Sequence, residues 1–206
     1  MHMQIGRLIL FVLLVWSCTQ HGPRTVGIQP YGDFERALTD TVAHTLRRLT
    51  GVKVYVLDRK PIPEKAFINL KAPRYRADAI LKILEQEKPD SLNHIMALTT
   101  FDISTTKTDT FGNVKEPKSK YADWGIFGLG QKPGAACILS TFRLKNATHA
   151  KFIDRVKKVS VHELGHAQGL DHCTSPYCVM KDAAESIHTI DQVRLEFCEN
   201  CRRKIQ

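Results

Sequence analysis

The sequence predicts an α/β (α+β) fold, a single domain in which one mixed, twisted sheet packs on helices. Three observations predict it. Short runs rich in β-branched and aromatic residues alternate with stretches whose apolar residues recur every three or four positions. A chain of 206 residues can bury one sizeable core, and no composition shift or long Pro/Gly/Ser linker marks a second domain. The segment from His149 to Gly169 combines an apolar helical stripe with a cluster of polar side chains, so the core holds that cluster in place.

Thr25 to Gln29 reads as a first strand, and residues 1–18 and 19–25 lie outside the folded domain, which is expected to span 26–206. From Phe34 to Leu49, apolar residues at Phe34, Leu38, Val42, Leu46 and Leu49 trace one helical face. Gly51 stops that helix, Val52 to Leu57 follows as a strand, and Pro61 and Pro63 break the chain into a loop. Ala77, Ile80, Leu81 and Leu84 mark a second helix. Ile95 through Leu98 and on to Ile103 is expected to be one continuous strand, before a Lys- and Thr-rich loop from Ser104 to Lys120. Trp124 to Leu129 and Ala135 to Thr141 read as two more strands, divided by Gly130 to Gly134. In the last long helix, Phe152, Val156, Val159, Glu163 and His166 recur at steps of three and four, forming its packed face.

Thirty Lys and Arg against 21 Asp and Glu leave a net charge of +9. The basic residues are scattered among acidic ones and accompany no nucleotide- or RNA-binding pattern, so no nucleic-acid partner is expected. At the N-terminus a short polar start ending in Arg7 precedes an apolar run from Leu8 to Trp16, too short for a stable span and suited to a signal peptide over 1–18. Val15-Trp16-Ser17-Cys18 resembles the bacterial lipobox, in which the cysteine becomes the lipidated first residue. The expectation is an exported lipoprotein on the periplasmic or extracytoplasmic side, anchored through Cys18; the alternative is a cleaved signal and a secreted soluble protein.

The chemistry concentrates between Val161 and Cys201. His162 and His166 lie one helical turn apart on one face, so both imidazoles can reach a single ion. Gly169 can take positive φ where the helix should end, letting the chain turn back so that His172 arrives as a third ligand. Three protein ligands leave a fourth position for water. Zinc acidifies that water and Glu163, projecting at a different angle from His162, can accept its proton as general base. H-E-x-x-H alone is a weak signal; its extension through Gly169 to His172 is much stronger. His44, His94, His149 and His188 have no such spacing. Cys173-x4-Cys178 and Cys198-x2-Cys201 have the short spacings by which two thiol pairs wrap a tetrahedral metal. Two disulfides, with three possible pairings, are the alternative. A closed zinc site is favoured because Cys173 adjoins His172 and would brace the first site. Cys137 reads as a buried small hydrophobe.

Taken together, H-E-L-G-H-A-Q-G-L-D-H-C-T-S-P-Y-C-V-M, seventeen residues, then C-E-N-C resembles the archaemetzincins, a branch of the metzincins. The resemblance covers most of residues 26 to 201 and implies a metzincin-like domain with a zinc-braced C-terminal subdomain. It implies His162, His166 and His172 as ligands of a catalytic zinc, Glu163 as general base, and Met180 as the Met-turn residue. Cys173, Cys178, Cys198 and Cys201 would then hold a structural zinc, two Zn²⁺ per chain in all. Trp124 to Gly130 is similar to the family's upper edge strand, so the backbone from Gly125 to Leu129 would pair with an extended peptide, through Gly125, Ile126, Phe127 and Gly128. The N-terminal export signal is a departure from the family pattern. The expected protein is a monomeric zinc peptidase acting on peptides or proteins. A non-catalytic protein with two structural zincs is the alternative, and a redox role for Cys198-x2-Cys201 lacks the thioredoxin-type context. No transition-state stabiliser stands out; Tyr121 and Tyr177 read as buried aromatics.

Overall fold

The structure, a computed structural model, describes residues 24–145, 147–182 and 186–205. The expected signal peptide and Cys18 lie outside the described residues. In chain order the elements are β1 (Thr25–Pro30), α1 (Arg36–Thr50), β2 (Lys53–Val56), β3 (Phe67–Asn69), β4 (Pro73–Arg76), α2 (Ala77–Glu87), β5 (His94–Thr99), β6 (Ile103–Thr105), α3 (Lys118–Tyr121), β7 (Trp124–Ile126), β8 (Gly128–Gly130), β9 (Ala136–Ser140), α4 (His149–Ala167), α5 (Ile187–Gln192) and α6 (Glu199–Ile205). Among the described residues no helix is long and apolar enough to cross a membrane.

The expected α/β (α+β) class holds, but the single sheet is two. A five-stranded sheet runs β2-β1-β5-β9-β8, parallel except for β8, and a four-stranded sheet runs β3-β4-β6-β7. Both faces of the larger sheet are covered, which its side-chain alternation requires. On β5 and β9, Met96, Leu98, Cys137 and Leu139 point into the layer shared with α1 and α4, whereas Ile95, Ala97, Ala136 and Ile138 join α2 on the other face. Each such Leu, Ile or Val, fully buried, contributes about 1.5 to 3 kcal/mol.

Two strands read as continuous are divided between the sheets. The run from Ile95 to Ile103 breaks after Thr99, which pairs with Ser140, while Ile103 pairs with Ile126 in the smaller sheet. The run from Trp124 to Leu129 breaks at Phe127, whose carbonyl accepts from the Ser140 N–H at 2.8 Å. Both crossings meet at one corner built on buried Asp102. Its carboxylate accepts from Arg74 Nε at 2.8 Å and from Arg143 Nε and an Arg143 terminal nitrogen at 2.7 and 2.8 Å. A carboxylate with that many charge-assisted partners keeps its corner rigid. The short β3–β4 hairpin has no counterpart among the predicted elements.

Helix α4 positions the site. Thr148 caps it, its hydroxyl accepting from the Lys151 N–H. Arg155 on the buried face forms two hydrogen bonds to Asp191 of α5, at 2.7 and 2.8 Å, so the segment after Met180 is tied back to the helix. That pairing holds the Asp191 carboxyl well below the usual carboxylate range.

Candidate active site and metal centres

The last turn of α4 carries His162, Glu163 and His166, and the chain leaves it as predicted. Gly169 has φ +97°, and the Leu170 N–H donates to the Gly165 carbonyl at 2.9 Å, closing the helix end and sending the chain back toward His172. The structure brings the three histidines together, their ligating nitrogens within 4.8 Å of one another. His162 and His166 are half-buried and His172 is exposed.

The ring nitrogens show what this cluster can hold. His162 Nδ1 lies 2.8 Å from the Val179 carbonyl and His166 Nδ1 2.8 Å from the Leu170 carbonyl. Only an N–H can sit against a carbonyl, so both rings are Nδ1–H tautomers and turn Nε2 lone pairs inward. Those two Nε2 atoms face each other at 3.0 Å, with no proton between them in that tautomer. Burial first, then neighbouring His166, lowers the His162 imidazole to about 3; burial also lowers that of His166. Neutral rings with converging lone pairs fit a tetrahedral cation, whose ligand nitrogens at bonds of about 2.0 to 2.1 Å stand roughly 3.3 Å apart. His172 Nδ1 lies 3.5 Å from the Asp182 carboxylate.

Glu163 is buried beside this cluster, and burial pushes its carboxyl up to about 8, against the Gly130 N–H that favours the charged form. Close approach of β8 makes that seclusion possible. A Cβ on Gly128 would stand 2.6 Å from Glu163 Cγ, and one on Gly130 2.5 Å from the Glu163 carbonyl oxygen. Glycine at both positions lets the strand lie directly against the helix.

A cleft of about 470 Å³ opens over these groups. Of the four predicted backbone positions, Ile126, Phe127 and Gly128 line it, joined by Leu129 and Gly130. Gly125 does not: it lies in β7, paired with Ser104 of the smaller sheet and packed under the Arg143 side chain. The free edge beside the cleft is therefore β8. Phe127 and Gln131 bond to Ser140 and Ala136 of β9, so by the two-residue alternation of an antiparallel ladder Gly128 and Gly130 turn their N–H and C=O away from the sheet. Tyr177, expected to be buried, is 56% exposed under Arg194, and Tyr121 is half-buried and stacked on Trp124; neither lines the cleft. Lys158, Ile190 and Val193 do line it and escaped the sequence reading, and Val159, read there as part of the packed helical face, lines it too. For Lys158 the signal was present, since Asp154, Lys158, His162 and His166 follow one another at steps of four.

The four C-terminal thiols also converge, and they are free. Cys173 Sγ lies 3.7 Å from Cys198 Sγ, far beyond a disulfide and close to the roughly 3.8 Å between sulfurs sharing a tetrahedral ion at about 2.3 Å. The Cys201 N–H, acting first, draws the Cys198 thiol down to about 7, toward the thiolate a metal needs. Cys137 is instead buried in the core, its thiol pushed well up by burial. The segment Cys178-Val179-Met180 joins the two clusters. Cys178 belongs to the thiol set, the Val179 carbonyl holds His162, and the Met180 carbonyl accepts from the Cys173 N–H at 2.8 Å. Met180 Sδ packs under Gly165, 2.5 Å from where a Cβ there would sit.

This geometry has relatives. Over 189 residues the chain is 27% identical to the archaemetzincin of Natronomonas pharaonis, covering 87% of this chain and 98% of that one. It is 28% identical over 167 residues to the archaemetzincin of Archaeoglobus fulgidus, covering 81% and 90%. Among solved structures, the archaemetzincin of Methanopyrus kandleri superposes with a TM-score of 0.73 at 25% identity, covering 89% of this chain and 94% of that one. The A. fulgidus archaemetzincin complexed with malonate gives 0.70 at 26%, covering 87% and 99%. The sequence matches Peptidase family M54 over residues 25–206. With the histidine and thiol clusters already in place on a matching fold, the chain belongs to peptidase family M54, among the archaemetzincins, and is a zinc metallopeptidase.

Proposed function

We propose that the chain hydrolyses peptide bonds in extended substrates, with His162, His166 and His172 holding zinc and Glu163 acting as general base. The observation that carries the reading is the pair of inward Nε2 lone pairs at 3.0 Å, both Nδ1 atoms already committed to carbonyls, with a secluded carboxylate alongside. Zinc bound there supplies a Lewis acid that acidifies water and polarises the scissile carbonyl. The chain does the rest. The Val179 and Leu170 carbonyls fix the two imidazole tautomers and ring orientations. Glu163, its proton affinity raised by burial, takes the proton from the attacking water and delivers it to the leaving amine nitrogen. Gly128 offers its outward N–H and C=O groups, and Gly130 its outward C=O, to a substrate strand added to the sheet edge, the Gly130 N–H being committed to Glu163.

Cys173, Cys178, Cys198 and Cys201 hold a second, structural zinc in this reading, giving two per chain. Residues 26–206 form the peptidase domain, acting as a monomer, while export and anchoring through Cys18 rest on the N-terminal segment alone. The test is a peptide-library cleavage profile with zinc counted per chain. Cleavage abolished by chelation and restored by zinc, at two ions per chain, is the expected result. Two bound zincs with no cleavage of any peptide would instead favour the non-catalytic reading.

A further inference from the structure

The cleft carries more positive charge than the reaction requires. Its ionisable lining outside the histidines comprises Lys107, Lys132, Lys158, Lys181, Glu163 and Asp171. Lys132 and Asp171 pair with each other, and Glu163 belongs to the catalytic group. Lys107 and Lys181 are half-buried and line the same opening. Lys158 is the unusual member. Its side chain is only 7% exposed, and it lies one helical turn before His162 on the same face of α4. Its ammonium pairs with Asp154, one turn further back, at 2.6 Å and itself 45% exposed. An ammonium has three N–H donors, a single half-solvated carboxylate accounts for one of them, and Lys158 borders the cleft.

We propose that this cleft selects peptides with an acidic side chain close to the bond cut, and that Lys158 is the residue that makes the selection. The inference rests on the peptidase reading of the same cleft. One helical turn, about 5.4 Å, separates Lys158 from His162 along α4 and one extended residue spans about 3.4 Å, so the Lys158 ammonium, on exchanging Asp154 for a substrate carboxylate, would meet a side chain one or two residues from the scissile bond. Lys107 and Lys181 add positive charge around the same opening and favour entry of an anionic segment. Lys158 is a specificity residue and takes no part in the bond-breaking step.

The test uses the zinc-loaded protein and peptides matched except for Glu or Gln at each position flanking the cleaved bond. At one of these positions the wild type is expected to prefer Glu by about tenfold or more in kcat/KM. Lys158→Met, similar in length and apolar, should bring that ratio to about one with zinc content and Tm retained, and Lys158→Arg should restore it. Asp154→Asn, which frees the ammonium from its competitor on a half-exposed site, should raise the preference, so the proposal remains testable should Lys158→Met fold poorly. Affinity of the same peptides for Glu163→Gln protein, read by fluorescence anisotropy, separates selection from turnover. A Glu preference in binding with no cleavage by wild type would sink the peptidase reading and keep the selectivity. Cleavage with equal rates for Glu and Gln, or a preference that Lys158→Met leaves intact, would overturn the proposal and show that only the methylene stem of Lys158 borders the cleft.

Discussion

Glu163→Gln is expected to lower kcat/KM on peptides by about 10³-fold, within the range of about 10² to 10⁴ that a positioned general base contributes, while leaving zinc bound at the histidines. Glutamine keeps the shape that fits against Gly128, so the strand-to-helix contact survives the change. It also keeps the tautomers of His162 and His166, which are fixed by the Val179 and Leu170 carbonyls and not by the carboxylate. What is lost is the acceptor for a proton in a secluded position, where burial has already raised the affinity of Glu163 for one. Because neither fold nor ligand set is disturbed, kcat should fall and KM change little. Rates within about tenfold of wild type at unchanged zinc content would place the base elsewhere.

Cys198→Ser is the second large effect, expected first in stability and then in the neighbouring site. A structural zinc contributes on the order of 10 kcal/mol of folding free energy when its site is absent from the unfolded chain. Losing one thiolate of four should remove enough of this to lower Tm by about 10 °C in a domain of this size. The damage should travel. Cys178 is followed directly by Val179, whose carbonyl orients His162, and Cys173 adjoins His172 and donates its N–H to the Met180 carbonyl. Loosening the thiol cluster therefore loosens two imidazoles at once, and groups that orient ligands are worth about 10- to 100-fold in metal affinity. A zinc titration of the variant beside its melting curve measures both. Unchanged Tm together with unchanged affinity at the histidines would mean that the two clusters are independent.

The chemistry of this chain was legible because it is written in local spacings. Histidines four apart on a helix share a face whatever surrounds them, Gly169 closes that helix through its own backbone, and two short-spaced cysteine pairs can each bend around one ion. Against the disulfide alternative, the four thiols are free in the structure and Cys173 Sγ stands 3.7 Å from Cys198 Sγ. What spacing could not say is which sheet a strand joins. Thr99 and Ile103, or Ile126 and Phe127, look continuous in sequence, and they part because their partners Ser140 and Ile126, or Ile103 and Ser140, lie far along the chain. The position of Gly125 was misread for that reason, and Gly130 was missed.

By itself, then, the sequence determined the helix, its polar cluster, the turn to His172 and the thiol pairs, all set by the period of a helix and the reach of a short loop. Tertiary structure alone decided that Gly128 and Gly130 press against Glu163, that Val179 orients His162, and that Lys158 borders the cleft. Those contacts depend on packing between segments tens of residues apart, where burial, not local propensity, sets the proton affinity of a carboxylate and the surroundings of a charge.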